Sequence, residues 1–281
     1  MIISVASGKG GTGKTTIATN LALALGKIQF IDCDVEEPNA HLFLKPRIEK
    51  KMPVTIPIPR IDEDRCTHCG RCAEACEFNA LVVFPQNVLV FDELCHGCGV
   101  CSYVCPEKVI TEEEKEIGVI EMGSKDGIEF IHGRLNVGEP MAAPIIRVEK
   151  SLMKKEGTVI LDAPPGTSCP VIETVKGGDF CLLVAEPTPF GLNDLELTVQ
   201  MLKKLNVPMG VLINRADVGN EGVKEYCHNE GIPILLEIPM DRRIAKLYSE
   251  GIPLTEELPE YRDKFIDLFA QIKQIVEGGG K

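Results

Sequence analysis

Apolar positions recur along this chain with two periods. Short uninterrupted apolar runs occur at 2–6, 27–32, 158–162, 180–185, 209–214 and 234–238. Runs of that length with polar borders are expected to be strands buried on both faces. Between the later ones lie stretches with apolar residues three and four apart, notably 192–205, and a similar stretch follows the first run at 15–25. That spacing predicts helices with one buried face. Buried strands alternating with helices imply a parallel sheet covered on both sides. The stretch 264–276 is amphipathic and is expected to pack as a helix on the same domain.

The alternation breaks between about residues 50 and 138. Residues 50–65, "KKMPVTIPIPRIDEDR", are proline-rich and charged and read as a linker. A cysteine-dense block follows and ends in the acidic run 111–116. Residues 117–138 read as a hairpin turning at Asp126-Gly127. The expected organisation is one α/β domain, 1–57 and 113–281, interrupted by a small module at 58–112.

Composition changes this picture little. Apolar residues make up 44% and charged residues 26% of 281 residues, within the range of globular domains. No apolar run approaches the ~20 residues that span a bilayer, and the first residues read as strand and loop rather than a leader. The expected location is the cytoplasm. The formal net charge of −12 disfavours nucleic acid and anionic membranes as partners, and points toward a basic protein.

Candidate chemistry lies at two places. "GKGGTGKT" at 8–15 fits G-x-x-x-x-G-K-[ST], after a strand and before a helix. In such a loop Gly8, Gly10, Gly11, Thr12 and Gly13 let backbone N–H groups curl around phosphate oxygens, with Thr16 opening the helix behind them. Lys14 neutralises the β- and γ-phosphates, and Thr15 can ligate Mg²⁺. Asp32, Asp34 and Asp162 sit at the ends of predicted strands, where ligands gather in parallel sheets.

The second place holds eight of the twelve cysteines. Cys66, Cys69, Cys72 and Cys76 follow C-x2-C-x2-C-x3-C, and Cys95, Cys98, Cys101 and Cys105 repeat it. Zinc sites seldom use three cysteines at that spacing, whereas iron–sulfur cubanes do. Two 4Fe-4S clusters are therefore expected. His68 and His96 lie inside the cysteine loops and are read as outer residues, since eight thiolates already fill both clusters. Cys105 precedes Pro106, but Cys76 precedes Glu77. Cys33, Cys181 and Cys227 are expected to be structural.

These motifs carry two resemblances. The glycine loop with its extra Lys9 resembles the deviant Walker A motif of the MinD/ParA/Mrp ATPases, a family that includes the nitrogenase iron protein. The match covers roughly 1–50 and 117–281. It implies a doubly wound, mainly parallel sheet and an ATP-dependent homodimer in which Lys9 reaches the partner's nucleotide. It further implies that Asp34 positions the attacking water and that Asp32 and Asp162 serve the Mg²⁺ shell. Gly166, in "APPGT", would sense the γ-phosphate, and Asn214 would bind adenine. Cys169 lies near where the nitrogenase iron protein carries a cluster ligand, but no cysteine in 138–144 supplies a second one.

The cysteine spacing resembles bacterial two-cluster ferredoxins, small α+β domains with crossed ligation. That implies one cluster on Cys66, Cys69, Cys72 and Cys105, and another on Cys95, Cys98, Cys101 and Cys76. The expected function is an ATPase coupled to low-potential electron transfer with an unidentified redox partner. The alternative is an ATPase carrier for iron–sulfur or other metallocofactors. Membrane positioning is disfavoured by the acidic charge.

Overall fold

A computed structural model describes residues 1–278. In chain order the elements are β1 (Ile2–Ala6), α1 (Lys14–Leu25), β2 (Gln29–Asp32), α2 (Ala40–Leu44), β3 (Arg47–Ile61), α3 (Arg71–Glu74), β4 (Leu81–Val83), β5 (Val88–Val90), α4 (Val100–Val104), β6 (Ile110–Lys125) and β7 (Ile128–Leu135). They continue with α5 (Ala143–Ser151), β8 (Val159–Asp162), α6 (Cys169–Val175), β9 (Phe180–Ala185), α7 (Pro189–Leu205), β10 (Met209–Asn214), α8 (Gly222–Glu230), β11 (Ile234–Ile238), α9 (Arg242–Ser249), α10 (Leu254–Glu257) and α11 (Pro259–Gly278).

Nine strands form one sheet in the order β11-β10-β9-β1-β8-β2-β7-β6-β3. The first seven run parallel, and at one edge β6 runs antiparallel to both of its neighbours, β7 and β3. The strand cores are apolar because both faces are covered. On one face Phe30, Phe130, Ile160 and Leu182 pack against Ile17 and Leu21 of α1 and Phe265, Leu268 and Ile272 of α11. On the other, Cys181, Leu183 and Val211 pack against Val171 of α6, Leu195 and Val199 of α7 and Cys227 of α8. The amphipathic 264–276 stretch therefore packs on the domain as expected, and Cys33, Cys181 and Cys227 are fully buried.

The hairpin expected at 117–138 is present. Asp126 and Gly127 both take positive φ (50° and 90°), the conformation a two-residue I′ turn requires, between Lys125 and Ile128.

The expected linker is not one. From its start to Ile61, the segment 50–65 belongs to β3, which pairs with β6 from Arg47↔Ser124 to Ile61↔Ile110. Prolines 53, 57 and 59 mislead here because proline suits an edge strand, whose nitrogens need no partner on the open side. The acidic run 111–116 is the matching part of β6. The pair continues past the edge of the domain and carries the cysteine-rich lobe, with the β4–β5 hairpin and the short helices α3 and α4. The lobe joins the body through core contacts as well: Ala80 and Cys95 share a buried cluster with Ile56, Ile58, Ile117 and Ile145.

A paired strand resists proteases where a linker does not. Limited trypsin digestion of the anaerobic protein should leave the bonds after Lys50, Lys51 and Arg60 intact while exposed loops are cut. Early cleavage at these three sites, read by mass spectrometry, would show that the β3–β6 arm is open in solution.

Candidate functional site

The carboxyl ends of the parallel strands open into a cavity of about 450 Å³. One wall is the glycine loop, residues 9–17; Asp34, Glu37 and Asn39 form a second; Asn214, Arg215 and residues 238–248 close the third. Gly13 sits at the turn into α1 with φ 91°, and a Cβ there would lie 2.6 Å from Asn214 Nδ2, so only glycine fits.

Register sets the charges. Asp32 and Asp162 are direct neighbours on β2 and β8, and both are fully buried. Lys14 Nζ is 3.6 Å from Asp162 Oδ1 and is itself 7% exposed. Neither Asp162 oxygen has a hydrogen-bond partner. A buried carboxylate with no hydrogen bond is costly, so Asp162 fits a divalent cation, beside Thr15, which lines the cavity. Burial pushes the Asp162 carboxyl up, and the Lys14 ammonium opposes that shift.

Asp32 accepts three backbone N–H groups. Its Oδ1 accepts the Asp34 N–H at 3.2 Å, and its Oδ2 accepts those of Asn39 and Ala40 at 3.1 and 3.0 Å. The carboxyl thus clamps the loop 33–40 that leads into α2. Burial, then the neighbouring Asp162, raise it to about 8. Asp34 is half-buried at the cavity wall and is raised to about 6 by burial, with Lys14 pulling the other way.

Three further expected site residues have partners inside the chain. Lys9 Nζ lies 3.5 Å from Glu186 Oε2, and Arg215 Nη1 holds the other oxygen of Glu186 at 2.6 Å. The Gly166 N–H donates to the Ser7 carbonyl at 3.0 Å. Asn214 Nδ2 donates to the Thr12 carbonyl at 2.8 Å. Each therefore braces the glycine loop in this structure. Sequence reasoning missed Glu186, Arg215, Met240, Asp241 and Tyr248. The signal was present for those after β11, since its carboxyl end must face the same crevice.

The cysteine-rich lobe has two hollows. One is lined by Cys66, Cys69, Cys72 and Cys105 with Ile61, Val83 and Val109; the other by Cys76, Cys95, Cys98 and Cys101 with Pro57, Phe78 and Leu81. Each quartet draws three cysteines from one repeat and one from the other. Backbone N–H groups of His68, Ala80 and Gly97 donate to Cys66, Cys76 and Cys95 sulfurs at 3.4, 3.3 and 3.5 Å. His68 pairs with Glu63, and His96 stacks on Phe78 at 3.5 Å between ring centroids. Glu77 and Cys169 are exposed. Burial pushes the Cys72, Cys95 and Cys101 thiols up, Cys101 to about 11. Thiolates at these positions need positive charge beside them, which iron would supply. Four sulfurs around an apolar hollow, with N–H donors aimed at them, fit a cubane.

A glycine loop between strand and helix, with a buried lysine facing a strand-end aspartate, defines a P-loop nucleotide-binding fold. The family model for the CobQ/CobB/MinD/ParA nucleotide binding domain matches residues 3–254, and the chain belongs to that family. Two uncharacterized proteins of Methanocaldococcus jannaschii are 33% and 32% identical to it, over 98% and 94% of this chain and 98% and 93% of theirs. An iron-sulfur cluster carrier protein of Pyrococcus horikoshii is 26% identical over 99% of this chain and 89% of its own. Among solved structures, the cell division ATPase MinD of Pyrococcus furiosus aligns with a TM-score of 0.60 at 24% identity, covering 98% of each chain. The protein is thus a MinD/ParA-type ATPase. No helix among the described residues is long and apolar enough to cross a membrane.

Removing the buried ammonium leaves Asp162 without the cation that faces it. Lys14→Ala should lose ATP binding in a fluorescent-nucleotide titration, and Lys14→Met should not restore it. Retained binding in either variant would place the nucleotide elsewhere.

Proposed function

We propose that this chain is an ATP-dependent homodimer that couples nucleotide state to electron transfer through two 4Fe-4S clusters, held in a bacterial-ferredoxin-like insert at 58–112. The observation that carries this reading is the composition of the two hollows. Each gathers four cysteines in the crossed set, on a lobe carried by two strands of the ATPase sheet. Cys66, Cys69, Cys72 and Cys105 would hold one cluster, and Cys76, Cys95, Cys98 and Cys101 the other. When bound, each cluster supplies a one-electron couple, tuned by the N–H donors to its sulfurs and by solvent access.

The ATP site would work as follows. Backbone N–H groups of Gly10, Gly11, Thr12, Gly13 and Lys14 bind phosphate oxygens, and the Lys14 ammonium offsets their charge. Thr15 and Asp162 would hold Mg²⁺, with Asp32 fixing the loop beside it. Asp34, at the cavity wall, orients the attacking water. Lys9 must leave Glu186 to reach a partner's nucleotide, so dimerisation would trade one charge pair for another. Gly166 would likewise exchange the Ser7 carbonyl for a γ-phosphate oxygen. Asn214, which lines the cavity with Arg215 and Met240, would contact the adenine.

The carrier relatives favour a second reading, in which the ATPase delivers clusters as cargo. The two readings separate on retention. Anaerobically purified protein should contain about eight irons per chain and keep them through repeated ATP turnover beside an apo-ferredoxin acceptor. Transfer of iron and sulfide to the acceptor, dependent on ATP, would replace electron transfer with delivery. Stoichiometric zinc would defeat both.

Mutants test the assignments. Cys76→Ala should remove the electron paramagnetic resonance signal of the cluster on Cys95, Cys98 and Cys101, and Cys105→Ala that of the other. The opposite pattern would mean uncrossed ligation. Asp34→Ala should bind ATP, stop hydrolysis and run as a dimer on size exclusion, whereas Lys9→Ala should bind ATP and stay monomeric. A Lys9→Ala protein that dimerises and hydrolyses at the wild-type rate contradicts the proposed role.

A further inference from the structure

The β4–β5 hairpin has one face turned in and one turned out. Leu81 and Val88 point inward and are buried with Cys101, against Cys66, Cys72 and Cys76 of the two quartets. Val82 and Leu89 are direct cross-strand partners on the opposite face, and both are exposed. Phe84 and Phe91 lie two residues further along each chain segment, so they extend the same outer face, at 45% and 41% exposure. Val82, Phe84, Leu89 and Phe91 thus form an apolar stripe of four side chains, one strand layer from the cysteine sulfurs.

The surroundings of this stripe are acidic. Residues 62–116 contain twelve acidic and four basic residues, a net −8 out of −12 for the whole chain. Two of the four basic residues, Arg65 and Lys115, are in ion pairs with Asp62 and Glu139. Apolar patches of this kind mark interaction surfaces on soluble proteins. The charge selects the occupant. A second copy of the lobe would bring −8 against −8, and an anionic membrane surface would be repelled in the same way.

We infer that the outer face of the β4–β5 hairpin is the docking surface for a redox protein whose own apolar patch is ringed by lysine or arginine. The assignment deepens the electron-transfer reading and rests on it for the partner's redox character. Opposite charges steer the encounter, and the stripe supplies the contact at its centre. Docking there places the partner over the hairpin, whose inner side chains touch cysteines of both quartets, so neither cluster is remote from it.

The test uses oxidised holoprotein and ferric cytochrome c, a basic haem protein with lysines around an apolar haem edge, in anaerobic titration calorimetry. Wild type should bind at ~20 mM salt and weaken at least about tenfold at ~200 mM. The double variant Phe84→Gln, Leu89→Gln should weaken binding by about tenfold at low salt, while Leu197→Gln on α7, 49% exposed, leaves it unchanged. Iron content and ATP hydrolysis should stay at the wild-type level in both, which separates docking from misfolding. Absence of binding at low salt, or equal affinity of wild type and the double variant, overturns the assignment. If wild type binds as stated but the reduced protein fails to reduce cytochrome c, the surface stands and the electron-transfer reading falls.

Discussion

The β3–β6 ladder is the constraint on which the rest of the structure depends. It runs as one antiparallel pair from Arg47↔Ser124, within the ATPase sheet, to Ile61↔Ile110, at the root of the cysteine-rich lobe. The lobe has no other covalent connection to the body. A proline-rich tether would let it tumble, whereas a paired double strand fixes its direction. β6 is itself paired with β7, and β7 with β2, so hydrogen bonds lead from the lobe to the strand that carries Asp32. Packing adds a second tie: Cys95 and Ala80 are buried against the same side chains of β3, β6 and α5 that cover the edge of the sheet.

At the other end of that path lies an electrostatic problem. Asp32 and Asp162 are buried side by side, and Lys14 is the cation that faces Asp162. Both carboxyls are pushed up, chiefly by burial. Asp32 meets its needs by accepting three backbone N–H groups from the loop 33–40, the loop that leads through α2 into β3. Any change of charge beside Asp162, such as an incoming nucleotide and its metal, alters the field on Asp32 and on the loop it clamps. The arm starts three residues past the end of α2, so the nucleotide site and the lobe share one short stretch of chain.

Much of this was legible in the sequence because it depends on local spacing. The parallel strands were readable as apolar runs, the phosphate loop as a glycine pattern between strand and helix, and the two quartets as a doubled cysteine rhythm. The Asp126-Gly127 turn was readable because both residues tolerate positive φ. What escaped depends on partners far apart in the chain. Nothing near residue 50 reveals that Pro57 and Pro59 lie on an edge strand whose other side is open. Lys9 and Glu186 are 177 residues apart, and Asn214 braces Thr12 across a similar span. That Asp32 clamps backbone N–H groups follows from the path of the loop after it, which no spacing rule encodes.

The central claim is that the nucleotide is felt in the lobe through the ladder. Lined by Pro57 and Pro59 of β3, the hollow of Cys76, Cys95, Cys98 and Cys101 is the one packed on the body. The hollow of Cys66, Cys69, Cys72 and Cys105 lies at the far end, beside Ile61 and Ile110. The decisive measurement is the midpoint potential of each proposed cluster, with ADP and with ATP bound to the Asp34→Ala protein, assigned through the Cys76→Ala and Cys105→Ala variants. Coupling of ~1–3 kcal/mol corresponds to a shift of about 40–130 mV for a one-electron couple. The account predicts such a shift in the cluster near the body and a smaller one in the far cluster. Equal potentials with both nucleotides, in both clusters, would contradict it.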